Sequence, residues 1–163
     1  ALLQITHAIT LSVWVKSSTF IYGRTILSKT QHTNISGTEG HGYMLKTVET
    51  GSGAQSYGAF IYNPGFGPGG NNFAAGALFA PDEWINFTFT LDGSDAKWYK
   101  DGVEVFSVTV HQPLTAATLG NFYIGRWNVG VAYFNGQIDD VAVYNRALTA
   151  TQVEQLYNQN ITH

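Results

Sequence analysis

The stretch GQIDDVAVYNRALTATQVEQLY, residues 136–157, decides the fold. It starts as a strand and ends as a helix. Read as a regular strand, its first half puts Asp140 on one face with Ile138 and Ala142. Asp139 then falls on the other face with Val141 and Val143. One carboxylate is thus expected on the core side, where it needs a cation, a backbone N–H or an arginine such as Arg146. In the second half, Thr149 can cap a helix and Gln152, three residues on, completes a capping box. Val153, Leu156 and Tyr157 then form an apolar stripe at helical spacing.

Working outward, period-two alternation recurs along the chain. TLSVWVK (10–16) puts Leu11, Val13 and Val15 on one face and Thr10, Ser12, Trp14 and Lys16 on the other. RTILSK (24–29), GYMLKTV (42–48), YGAFIY (57–62) and WINFTFTL (84–91) read the same way. KWYKDGVEVFSV (97–108) is a hairpin, because Asp-Gly between alternating segments favours a two-residue turn. FYIGRW (122–127) precedes the closing strand. TQHTNISGTEGH (30–41) and NPGFGPGGNN (63–72) read as loops. The expectation is about a dozen short strands and one terminal helix in one domain, residues 1–163. That is an all-β, two-sheet antiparallel jelly-roll β-sandwich with one short C-terminal helix.

Composition agrees. The 163 residues suffice for one domain with a real core, and 44% are hydrophobic. Charged residues make up only 12% and aromatics reach 14%, with 18 glycines for tight turns. A net charge of −3 argues against nucleic acid as a partner. No apolar run is long enough for a membrane helix. The absence of cysteine excludes disulfides and thiolate metal sites. Low charge with many Asn, Thr, Ser and Tyr fits a secreted or cell-surface protein. Asn34, Asn86 and Asn160 begin N-x-[ST] triplets, read equally as glycan acceptors or as chance in an Asn-rich chain.

Four segments carry a resemblance. LSVWVKSS opens the series. TILSK and GYMLK follow, then the run from Trp84 through TFTLDG to WYKDGVEV, then FNGQIDDVAVYNRALTATQVEQLY. In this order they resemble the laminin-G-like, pentraxin-type domains of the concanavalin A-like lectin/glucanase superfamily. The resemblance implies binding of carbohydrate or protein within a larger secreted or surface protein, beside catalytic neighbours. It also implies a calcium ion in many members, with Asp139 at the matching position. One departure stands out: only ALLQITHAI precedes LSVWVK, where the family has a further strand close to the closing one. A fragment, or a variant with a modified edge, is expected, and an uncovered edge invites pairing with another chain.

Catalysis is not expected. A retaining glucanase needs two carboxylates about 5 Å apart, supplied in this fold by an E-x-D-x-E strand, which is absent. Adjacent strand aspartates cannot act together on one bond. The jelly-roll lyases would show Q-I-H where this chain has QID. The histidines sit in loops or near the ends, without a nucleophile elbow.

Sugar binding needs exposed rings for stacking and Asn or Arg for hydroxyls. Trp127, flanked by Arg126 and Asn128 and followed by Tyr133, is the leading platform; it reads equally as a loop anchor packed on the rim. Trp98 adjoins Tyr99 and must face the opposite way, so an inward Tyr99 makes Trp98 an exposed candidate. Trp14 and Trp84 are read as structural. Asn71 and Asn72, with Phe66, offer a second wall, and His41 and Tyr43 a further approach to the same rim. The functional expectation is a noncatalytic carbohydrate-binding module of a secreted polysaccharide-degrading enzyme. Its partners would be a poly- or oligosaccharide and other domains of the same polypeptide. An adhesion domain binding a protein, or a structural spacer, is the alternative.

Overall fold

A computed structural model describes residues 3–32, 40–62, 71–74, 78–110, 114–117, 119–128 and 132–159. Ten strands and one helix are described. The strands are β1 (Ala8–Lys16), β2 (Thr25–His32), β3 (Gly40–Glu49), β4 (Gln55–Tyr62), β5 (Asn71–Ala74), β6 (Ile85–Asp92), β7 (Asp95–Lys100), β8 (Val103–Thr109), β9 (Tyr123–Ile124) and β10 (Gln137–Tyr144). The helix is α1 (Ala150–Gln159). Two five-stranded antiparallel sheets result. Sheet I runs β10-β1-β6-β7-β8 and sheet II runs β5-β4-β3-β2-β9. The expected sandwich and terminal helix are both present.

The alternating residues explain the layering. Leu11, Val13 and Val15 of β1 and Ile85, Phe87, Phe89 and Leu91 of β6 enter the core between the sheets. Leu45 of β3 and Tyr57, Ala59 and Ile61 of β4 meet them from sheet II. Burying a large aliphatic or aromatic side chain contributes about 1.5–3 kcal/mol, so this row is the main source of stability. The Asp101-Gly102 turn forms as expected, with φ of 51° and 80°. Two successive left-handed residues match the right-handed twist of the flanking strands.

The outer face of sheet I is covered too. Thr149 Oγ1 accepts from Gln152 N while Gln152 Oε1 accepts from Thr149 N, the expected capping box. The helix then lays Val153 against Tyr99 and Leu148, and Tyr157 stacks on Trp14 with ring centroids 5.5 Å apart. Thr10 Oγ1 donates to Arg146 O and accepts from Leu148 N, both at 2.8 Å, so β1 pins the chain entering α1. Beneath this layer Ser12, Asn86 and Thr88 satisfy one another. Asn86 is buried, which removes it as a glycan acceptor; Asn34 and Asn160 lie outside the described residues.

Three expectations need correction. Trp98 is fully buried, packed on Phe89 at 4.8 Å, so it is no sugar platform. The inference that Trp98 and Tyr99 diverge is right. Tyr99 is the outward ring, however, and it is buried because α1 covers it. Tyr43 is also a core residue. Asn71 and Asn72 belong to strand β5, opposite Ile61 and Phe60, rather than to a loop.

The two aspartates are resolved by a bulge. Register along β1 shifts between Ser12 and Trp14: Ser12 pairs with Ala142, but Trp14 pairs with Asp139. One extra residue is accommodated at Asp140, whose φ is 45°, and Asp139 Oδ1 accepts from Asp140 N at 2.8 Å. The parity of the strand therefore flips between Asp139 and Val141. Ile138, Val141 and Val143 all pack toward the core, and both carboxylates are exposed. Neither aspartate faces the core, contrary to the regular-strand reading. The bulge and its two charges also sit on the edge of sheet I, where such features discourage strand pairing. The left-handed conformation costs a non-glycine residue about 1–2 kcal/mol. Asp140→Gly should therefore hold or raise stability in urea denaturation. Asp140→Val should lower it by about 1–2 kcal/mol, and equal stabilities for the two variants would contradict this account.

Candidate functional site

The rim of sheet II at β9 gathers four of the residues singled out above. Gly125, with φ 74°, turns the chain out of β9 while its N–H donates to Ile26 O at 2.7 Å. The next three residues lie along β2. Arg126 O accepts from Ser28 Oγ at 3.0 Å. Trp127 Nε1 donates to Thr30 Oγ1 at 3.0 Å. Asn128 closes on the same residue: its Oδ1 accepts from Thr30 Oγ1 at 3.0 Å and its Nδ2 donates to Thr30 O at 3.2 Å. The returning segment docks beside it, with Phe134 N donating to Gly125 O and Thr25 N donating to Ala132 O. Tyr133 is thereby carried next to Arg126.

The rings divide into two roles. Trp127 packs partly buried against Met44, Val48, Phe60 and Tyr62 on the outer face of sheet II. This packing fits the loop-anchor reading and leaves part of the ring at the surface. Tyr133 is the open ring, 54% exposed. The Arg126 guanidinium lies 4.7 Å from the Tyr123 ring and 5.9 Å from the Tyr133 ring. It is held between them by cation–π attraction and by Nε donating to Trp127 O at 3.2 Å. No carboxylate pairs with it among the described residues. Tyr123 was missed in the sequence; the available signal was an aromatic residue within FYIGRW, three positions before Arg126.

The surroundings of Trp127 are equally ordered. Phe60 and Tyr62 stack at 6.4 Å, and Lys46 Nζ lies 3.7 Å over Phe60. Burial lowers the Lys46 pKa from its ordinary value and pushes that of Tyr62 up to about 12. His41 reaches Thr115 Oγ1 at 3.1 Å, and Thr115 in turn donates to Tyr62 O. Phe66 lies outside the described residues, and the side chains of Asn71 and Asn72 are not among those described.

Elsewhere, two open clefts of about 310 and 320 Å³ lie on sheet I. The larger is lined by Asp92, Asp95, Lys97, Tyr99, Leu148 and Thr149, without an exposed aromatic ring. At Asp139, the donor set is two exposed carboxylates. Among the described residues, no group of three or more His, Cys, Asp or Glu side chains comes together. Calcium takes six to eight oxygens, so these two alone do not complete a site.

The comparisons with known proteins agree on the fold. A laminin-G-type family model, described as concanavalin A-like lectin/glucanases superfamily, matches residues 1–154. No curated protein matches the chain. Among solved structures, domain 4 of AbnA, a GH43 extracellular arabinanase from Geobacillus stearothermophilus in complex with arabinotriose, aligns with a TM-score of 0.66. It is 22% identical over 94% of this chain and 68% of that one. The CBM40 of the Ruminococcus gnavus IT-sialidase, bound to α2,3-sialyllactose, gives a TM-score of 0.74 at 14% identity, over 94% of this chain and 84% of that one. A heptameric SAP-like pentraxin from Limulus polyphemus gives 0.62 at 15%, over 97% and 75%. At these identities the likeness establishes the fold.

Proposed function

Because the chain belongs to the concanavalin A-like lectin/glucanase superfamily, a fold whose functions reside in grafted sites, we propose that it is a noncatalytic carbohydrate-binding domain. One observation carries the reading: the exposed Tyr133 ring lies beside Arg126 at the β9 rim, with Asn128 further along β2 on Thr30. An exposed ring offers a stacking face for sugar C–H groups, and the Arg and Asn supply donors and acceptors for hydroxyls. The oligosaccharides held by the arabinanase domain and the CBM40 support the same reading. We place the domain in a larger secreted or surface protein, next to a catalytic module for polysaccharide breakdown. The neighbouring domains of the full-length chain test that placement.

Titration calorimetry against a panel of plant, algal and host glycans tests the function. Tyr133→Ala should weaken binding about tenfold, or about 1.4 kcal/mol, with an unchanged melting temperature. Heat from no glycan would remove the reading.

A protein-binding adhesion role has one observation in its favour. Edge strand β8 exposes Val103, Val105 and Phe106, and an apolar edge strand is a template for pairing. Partner capture that survives Tyr133→Ala but not Phe106→Lys would favour it. Calcium at Asp139 belongs to the proposal as a structural ion completed by backbone carbonyls. A melting curve in EDTA against one in calcium decides it: a shift of several degrees supports the ion, and superimposed curves exclude it.

A further inference from the structure

We infer that the β9 rim selects an acidic saccharide, one bearing a carboxylate or sulfate, and that Arg126 is the residue that reads the anionic group. The inference rests on the carbohydrate reading above and adds to it the charge class of the ligand.

The first observation is local. The guanidinium of Arg126 is always charged and carries five N–H donors in a planar fork. Among the described residues, Nε donates to Trp127 O and no other Arg126 N–H is seen engaged. Cation–π attraction to Tyr123 and Tyr133 and the Nε bond restrain the fork, so a planar anion can be met bidentately with less further ordering. An arginine held by two rings and lacking a carboxylate partner among the described residues is a preorganised anion site. One that served only to tie down the loop would be expected to meet an acid within the protein.

The second observation is the distribution of charge. The net charge is −3, yet the two sheets differ in sign. Sheet I and α1 carry six acids, Asp92, Asp95, Glu104, Asp139, Asp140 and Glu154, against three lysines, Lys16, Lys97 and Lys100. The strands of sheet II and the turn after β9 carry Lys29, Lys46 and Arg126, with Glu49 as the one acid on a described strand. Lys29 is nearly buried and donates to Gly120 O at 2.6 Å. Lys46 lies over Phe60. None of these three cations is paired with an acid among the described residues. An excess of cations over acids on one side of a small domain favours anions there. The larger cleft of sheet I is lined by two acids, Asp92 and Asp95, against one cation, Lys97.

The test uses matched ligand pairs in calorimetry: an oligogalacturonate with its carboxyl-reduced form, and a sulfated galactan oligosaccharide with its desulfated form. The expected result is a preference of about tenfold or more for the acidic member of at least one pair, weakening as salt rises. The pair that responds identifies carboxylate or sulfate as the recognised group. Arg126→Gln should abolish that preference without lowering the melting temperature, and Arg126→Lys should keep only part of it, because the bidentate fork is lost. Equal binding of acidic and neutral members, or a preference that survives Arg126→Gln, overturns this inference and leaves the carbohydrate reading standing. Absence of binding to both members of both pairs, and to the neutral glycan panel, overturns both.

Discussion

The rim of sheet II depends on one buried hydroxyl. Thr30 Oγ1 donates to Asn128 Oδ1 and accepts from Trp127 Nε1, each at 3.0 Å, while Thr30 O accepts from Asn128 Nδ2. A hydroxyl has one proton to give and lone pairs to receive, and here both functions are used on consecutive residues of the same turn. Each such bond contributes about 0.5–1.5 kcal/mol net, and leaving a buried partner unsatisfied costs about 1–3 kcal/mol. The turn is therefore held in one geometry. Trp127 is driven onto Met44 and Phe60, and its two neighbours are set at the surface. Trp127 is partly buried by this anchoring, and Tyr133 is the more exposed ring.

This division explains how far the sequence could be read. Period-two alternation placed Leu11, Val13 and Val15 in the core, and the Asp101-Gly102 turn and the Thr149–Gln152 cap are where local chemistry puts them. Local rules fail where burial is decided by a distant segment. Trp98 and Tyr99 do point to opposite faces, but alternation cannot reveal that α1 returns to cover the outer one. The aspartate pair fails for a different reason. A single bulge inverts the parity of every residue beyond it, and only the register against β1 reveals it. At the site, adjacency in sequence brought Arg126, Trp127 and Asn128 together on the page. Tyr123 needed the cation–π geometry.

The same layering separates charge from recognition. Sheet I, wrapped by the helix, carries most of the carboxylates on its edges and turns. Sheet II, whose outer face is lined by Met44, Phe60, Tyr62 and Trp127, carries cations that meet no acid among the described residues. Asp139 and Asp140, the most conspicuous acids, end on a bulged edge rather than across a bond to be cleaved. The carboxylates thus serve the surface of one sheet, and the aromatic–arginine rim belongs to the other.

The most direct test of this account is nuclear magnetic resonance mapping during titration of the intact domain with an acidic oligosaccharide. The account predicts that the Arg126 side-chain Nε–H resonance and the rings of Tyr123 and Tyr133 shift together at low ligand concentration. Resonances of Asp92, Asp95 and Thr149 on sheet I should stay fixed. Shifts centred on the sheet I cleft, with Arg126 unmoved at saturation, would contradict it.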